Sequence, residues 1–161
     1  MAKDILFDAD GGLFGLRSAG VLIKDNKVLL QQVGSDPSYA IPGGHVSFGE
    51  LGEEALIREF KEETGMDIKV VRMLWIGEIF FPLNDKDCHQ ICIYYLVEPA
   101  GATDEPVIWD TVDKVESYEA HIKFSWVDIG DLDGIEIYPT QAKGYLKNIS
   151  GQIKHFVYKE Q

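Results

Sequence analysis

Glu59, Glu62 and Glu63 are the residues of this sequence best placed to do chemistry. On a helix turning about 100° per residue they stand at relative angles of about 0°, 300° and 40°, so three carboxylates share one face. Like charges at these spacings repel by about 0.2–0.5 kcal/mol per pair, and a purely structural helix would interleave Lys or Arg there. A hard divalent cation removes the repulsion, because carboxylate oxygens are the donors that Mg²⁺ or Mn²⁺ prefers. Gly52 and Ala55 lie between the glutamates and leave space for a ligand, while Leu56, Ile57 and Phe60 fall on another side as an anchor to a sheet. Arg58 stands eight residues after Glu50, too far for a helical neighbour pair. A turn-rich approach to the helix lets Glu50 fold back so that guanidinium and carboxylate pair. A solvated acidic helix face is the plain alternative, and it would leave the glycines, the Arg and the spacing as coincidences.

The elements that must position these residues follow from the pattern around them. A helix is expected from about Leu51 to Thr64, with Gly65 as its C-terminal stop. Arg17 to Lys24 and Lys27 to Val33 read as a β-hairpin turned at Asp25-Asn26, a pair that tolerates positive φ. Gly34 to Tyr39 is a loop, and Ala40 to Gly44 opens a turn-rich segment that ends near Glu50. Ile68 to Phe81 and His89 to Val97 are expected strands joined by the polar connection Asn84 to Asp87. The stretch from Pro99 to Ala120 reads as a loop, Lys123 to Asp128 as a strand, Thr140 to Asn148 as a helix after Pro139, and Ile153 to Tyr158 as a last strand. The order is mixed α/β, with most strands flanking one central helix, and no repeat or composition shift marks a second domain in residues 1–161.

Fifteen Lys and Arg against twenty-seven Asp and Glu give a net charge of −12, which repels nucleic-acid polymers and anionic membrane surfaces. No apolar stretch approaches the ~20 residues needed to cross a bilayer, and acidic residues stand where a signal peptide would be apolar, so a cytoplasmic protein is expected. Cys88 and Cys92, four apart in a strand-like run, read as reduced packing thiols.

Gly44, five residues, Glu50, seven residues, then Arg58-Glu59-Phe60-Lys61-Glu62-Glu63-Thr64-Gly65-Met66 resembles the Nudix box at every fixed position. The resemblance implies an α/β/α sandwich with a mixed central sheet and the box as loop, helix and loop. It further implies a pyrophosphohydrolase that cleaves a nucleoside diphosphate linked to a group X by water attack at phosphorus, with Mg²⁺ or Mn²⁺. Carried over by position, Glu59, Glu62 and Glu63 are metal ligands, with Glu62 or Glu59 also serving the attacking water, and the Gly43 carbonyl reaches a metal. Gly44, Glu50 and Arg58 support the site. Many members take a further acid from a loop before a Trp-containing strand, and Glu119, seven residues before Trp126, is the first candidate here, with Glu116 the second.

His45, next to the box glycine, is a candidate contact to substrate phosphate, with a loop histidine held by a backbone hydrogen bond as the alternative. His89, Gln90, Tyr94 and Tyr95 lie along a strand near the family's base-binding cleft, and strand alternation sends half of them to the core. Trp75, Phe80 and Phe81 are stacking candidates or core residues, and Trp109, in a polar loop, is the more pointed stacking candidate. Pro82, sixteen residues after Met66, matches a mark of some ADP-ribose pyrophosphatases. The group X stays unassigned. The alternative function is a sensor that binds ADP-ribose or a nucleotide sugar with little turnover, although such proteins commonly lose box glutamates. The partner is therefore a small nucleotide diphosphate derivative, and a homodimer exchanging the segment Asp4 to Leu16 is left open.

Overall fold

A computed structural model describes residues 2–101, 115–116 and 121–161. Two short turns built from Asp and Asn set its longest elements. Asp25 and Asn26 take φ of 51° and 62°, and Asn84 and Asp85 repeat the same pair of angles, so each closes a two-residue hairpin whose twist matches its strands. The first joins β2 (Gly12–Lys24) to β3 (Lys27–Val33), and the second joins β5 (Ile68–Leu83) to β6 (Lys86–Pro99). The polar connection expected from Asn84 to Asp87 is thus only two residues long. Its flanks stay in register, Leu83 opposite Lys86 and Pro82 opposite Asp87.

A third hairpin was not expected. β1 (Leu6–Ala9) turns through Asp10 and Gly11, both at positive φ, and pairs with the start of β2 from Leu6↔Gly15 to Ala9↔Gly12. Leu6 to Ala9, within the segment left open for exchange between subunits, pairs here with β2 of the same chain, and an ion pair between Lys86 and Asp8 ties it to the β5–β6 hairpin.

Among the described residues the sheet runs β7-β8-β3-β2-β6-β5-β9, with β7 at Val115–Glu116, β8 at Ile122–Asp128 and β9 at Lys154–Lys159. β1 and β4 (Gly43–His45) each pair with β2. The β2–β6 and β5–β9 pairs are parallel and the rest antiparallel, which makes the sheet mixed. Adjacent residues go to opposite faces. Val21, Leu30, Trp75 and Tyr94 pack on one side with Ala142 and Leu146 of α2 (Gln141–Lys147) and Leu132 of a 3-10 helix (Ile129–Gly134). Leu22, Leu29, Tyr95 and Val97 pack on the other with Leu56 and Phe60 of α1 (Gly52–Thr64). These are the layers of an α/β/α sandwich. The 3-10 helix was not expected; it starts where the Asp128 carboxylate accepts from the Gly130 N–H at 2.8 Å.

β2 and β3 pair only at Ile23↔Val28 and Lys24↔Lys27 and then part. The segment from Ala40 to His45 fills the split. Gln31 on β3 bridges to Ala40, the Gly20 N–H on β2 donates to the Pro42 carbonyl at 2.8 Å, and β4 then pairs with β2 as Ala19↔Gly43, Ser18↔Gly44 and Arg17↔His45.

Candidate functional site

α1 begins one residue later than expected because Leu51 is its N-terminal boundary, where the Glu54 carboxylate accepts from the Leu51 N–H at 2.9 Å. It ends at Gly65, with φ of 74°, whose N–H returns to the Lys61 carbonyl. Leu56 and Phe60 fasten the helix to the sheet, whereas Ile57, expected in the same anchor, is 40% exposed. The small residues do not line an open space. Ala55 is fully buried, and a Cβ on Gly52 would come within 2.7 Å of the Tyr95 hydroxyl, so their smallness serves close packing of helix on sheet.

Arg58 organises the junction of loop and helix. Its Nε and Nη2 donate to the two Glu50 carboxylate oxygens at 2.7 and 3.0 Å, so Glu50 does fold back across the turn. Nη1 donates to Glu59 at 2.8 Å and to Glu62 at 3.3 Å, and Nη2 also reaches the His45 carbonyl at 3.2 Å. One cation thus spans three carboxylates and the loop backbone. The hydrogen bonds from Arg58, assisted by the Ser47 N–H at 2.9 Å, hold the Glu50 carboxyl below the usual carboxylate range.

The loop glycines are needed for contact. A Cβ on Gly44 would fall 2.2 Å from the Glu59 carboxylate carbon, so the acid rests in the space left by the missing side chain. A Cβ on Gly43 would strike the Ser18 carbonyl oxygen at 2.0 Å, which keeps β4 tight against β2. The three helical glutamates share a face, as the spacing predicts, but their surroundings differ. Glu63 is 5% exposed, and the Glu59 and Glu62 side chains are 14% and 53% exposed. Carboxylate oxygens clustered beside a loop backbone suit a hard divalent cation in donor chemistry. Among the described residues, no three His, Cys, Asp or Glu side chains converge on one point, and Arg58 takes oxygens of both Glu59 and Glu62.

His45 sits opposite Arg17 on β4, one residue beyond Gly44, and alternation turns its ring away from Glu59. The ring lies beside Gly15, with Nε2 3.4 Å from where a Cβ there would be. Burial, then the charge of Arg17, lowers its pKa, so the ring is neutral. His89 is exposed on β6, where its ring meets Phe80 at 4.4 Å and Phe14 at 5.7 Å. Trp75 is 2% exposed and packs on Tyr94 and Tyr145, which makes it a core residue. Trp109 and Glu119 lie outside the described residues, and Glu116 is on β7.

On the α2 side of the split is a cavity of about 460 Å³, within the ~300–1,000 Å³ range of small-molecule sites. Arg17, Ala19, Cys92 and Tyr94 line it together with Gln31 from the split itself. Phe81, Tyr138 and Tyr158 add aromatic surface, and Gln90 completes the β6 contribution. The β6 positions therefore divide as alternation demands: Gln90 and Tyr94 reach this cavity, and Tyr95 packs under α1. Arg17, Gln31 and Tyr138 were missed in the sequence. A lone cation in β2 and a Gln31-Gln32 pair after the apolar run Val28 to Leu30 were the available signal.

A family model described as the NUDIX domain matches residues 16–147. An ADP-ribose pyrophosphatase of Methanocaldococcus jannaschii is 41% identical over 85 residues, covering 51% of this chain and 49% of that protein. An NAD-capped RNA hydrolase of Vibrio atlanticus is 28% identical over 132 residues, covering 81% of this chain and 43% of its own. The chain thus spans about half the length of these curated relatives, or less. Among solved structures, a MutT protein from Methanosarcina mazei superposes with a TM-score of 0.61 at 20% identity, covering 88% of this chain and 96% of that one. An ADP-ribose pyrophosphatase from Streptococcus suis superposes with a TM-score of 0.55 at 16% identity, covering 88% and 98%. With the box glutamates, their arginine clamp and the α/β/α layers all in place, the chain belongs to the Nudix family.

Proposed function

We propose that this protein is a divalent-metal-dependent pyrophosphohydrolase that cleaves a phosphoanhydride bond in a nucleoside diphosphate linked to X. The observation that carries the reading is the Arg58 clamp, which fixes Glu50, Glu59, Glu62 and the His45 carbonyl around a loop whose glycine leaves room for the Glu59 carboxylate. Glu59, Glu62 and Glu63, with the Gly43 carbonyl, are the donors for Mg²⁺ or Mn²⁺. Such an ion, when bound, offsets the negative charge of a diphosphate and lowers the pKa of bound water.

The chain's own groups do the rest. Arg58 and Gly44 orient Glu59, and Glu50 holds Arg58 in place through two hydrogen bonds. Glu62, half exposed and bound to Arg58 at the longest of these contacts, is the carboxylate freest to turn and accept a proton from water. Arg17 and Ala19, which line the cavity, pair with His45 and Gly43 of β4, so a diphosphate at β4 can place one of its two substituents in the cavity. The named activities of the relatives, ADP-ribose pyrophosphatase and NAD-capped RNA hydrolase among them, favour a substrate of this class.

The test is product release from nucleoside triphosphates, ADP-ribose, dinucleoside polyphosphates and nucleotide sugars with Mg²⁺ and with Mn²⁺, beside Glu62→Gln and Glu63→Gln. Turnover of one class that falls by on the order of 10²–10³-fold in both variants is expected. Tight binding without product in the wild type would replace this reading with the sensor.

A further inference from the structure

The cavity wall carries a charge pattern that the hydrolytic chemistry alone does not require. Arg17, half buried, makes no hydrogen bond or ion pair among the described residues, and its charge acts on His45, Cys92 and Tyr94, all neutral groups. Gln31 is 5% exposed, and its Oε1 is buried without a hydrogen-bond partner. A buried acceptor in that state is costly and is satisfied by a donor brought in from outside. The rim has the opposite sign. Asp36, Glu136 and Glu160 line the same cavity and are exposed. Among the described residues, one unpaired cation therefore sits against the buried floor and three carboxylates stand at the mouth.

We propose that Arg17 anchors a single phosphate at the inner end of the cavity, and that the acidic rim restricts the occupant to a nucleoside or sugar moiety without a second phosphate. This rests on the hydrolase reading above and adds to it the chemical class of the group the cavity accepts. A phosphate beside Arg17 gains a charge-assisted, geometrically specific contact in a half-buried setting. Hydroxyls or amino groups of the attached moiety are donors, which suits both the Gln31 oxygen and the rim carboxylates. A further phosphate on that moiety would lie within a Debye length of the rim, where like charges repel. Arg17 also pairs in register with His45, two residues from Gly43, so its position links the cavity to the loop that carries the box.

The proposal is tested by calorimetry on the full chain without metal, using AMP, UMP, adenosine and adenosine 3′,5′-bisphosphate as probes. The wild type is expected to bind a monophosphate at least tenfold more tightly than either adenosine or the bisphosphate. Arg17→Ala should weaken AMP at least tenfold and leave adenosine unchanged, with Arg17→Lys intermediate. The exposed double variant Asp36→Asn, Glu136→Gln should bring the bisphosphate to within about threefold of AMP. It keeps the test independent of any folding defect at Arg17. Equal AMP affinity in wild type and Arg17→Ala, equal affinity of the wild type for AMP and the bisphosphate, or no AMP binding at all would overturn the proposal. Because binding is read without turnover, these outcomes are separate from failure of the hydrolase reading, which shows as absent product with metal present.

Discussion

The two faces of the central sheet hold two kinds of polar group. On the α1 face, charges are paired and crowded: Arg58 binds Glu50, Glu59 and Glu62 within 3.3 Å, and Gly44 has no side chain because Glu59 needs its space. On the α2 face, polar groups are spread over a cavity and some are unmet, with Arg17 unpaired among the described residues and the Gln31 oxygen orphaned. β4, three residues long, separates them, since Gly44 meets Glu59 while His45 stands opposite Arg17. A region already satisfied keeps a fixed geometry, as the proposed hydrolysis requires, and a region with unmet polar groups suits the proposed ligand. The difference predicts which kinetic constant each face controls.

After the carboxylate variants, the largest effect should come from Gly44→Ala. Its Cβ displaces the Glu59 carboxylate, so kcat should drop by about 10–100-fold, the usual scale for disturbing the support of a metal ligand, the role proposed for Glu59. Overpacking there should also cost about 1–3 kcal/mol, read as a lower denaturant midpoint. Unaltered kcat would show that the position of the Glu59 carboxylate does not matter for turnover. Next is Arg58→Lys, which keeps the charge and loses the two-pronged contact to Glu50. A loss of about 1.5–3 kcal/mol, the scale of hydrogen bonds to charged groups, should accompany reduced kcat. On the other face, Tyr138→Ala should raise KM about tenfold and leave kcat within twofold, since stacking a base on a ring is worth about 1–3 kcal/mol. A pure kcat effect would count against the cavity as the receiving side.

The smallest effect is on pH dependence, where the Arg58 clamp should fail in acid and the buried thiol of the cavity in alkali. Arg58 depresses the Glu50 carboxyl, so its contribution is complete above the ordinary carboxylate value of about 4.3 and is lost as pH falls through the lower folded value. His45, depressed mainly by burial, adds an acid loss that begins below about 6.5. Burial pushes the Cys92 thiol on the cavity floor up to about 11, and Tyr94 rises as well. A thiol kept protonated by folding contributes below its ordinary value of about 8.5, and that contribution is lost as pH rises through about 11. Melting curves from acid to alkali should show Glu50→Gln flattening only the acid limb and Cys92→Ala easing only the alkaline one.

The glutamate helix was readable in advance because its residues are neighbours in one segment, where a fixed angular repeat converts spacing into geometry. The hairpin at Asp25-Asn26 was equally readable, since turn residues state their own conformation. The reading failed where partners are remote. β1 went unseen because Leu6-Phe7-Asp8-Ala9 is a weak strand alone and gains its hydrogen bonds only from β2. Gly52 looked like ligand space and is filled by Tyr95, forty-three residues away.

The carboxylate face, its counter-charge, the family resemblance and the alternation that sends Tyr94 and Tyr95 to opposite cores were all legible from residue order alone. Only the tertiary structure decided that Arg58 spans three acids, that Glu63 is buried and Glu62 is not, and that Arg17, Gln31, Cys92 and Tyr138 meet around one cavity. The physical reason is range. Helical and turn geometry act over a few residues and are encoded locally, whereas the cavity exists because β2 and β3 part after two paired residues and chain from distant positions closes the gap.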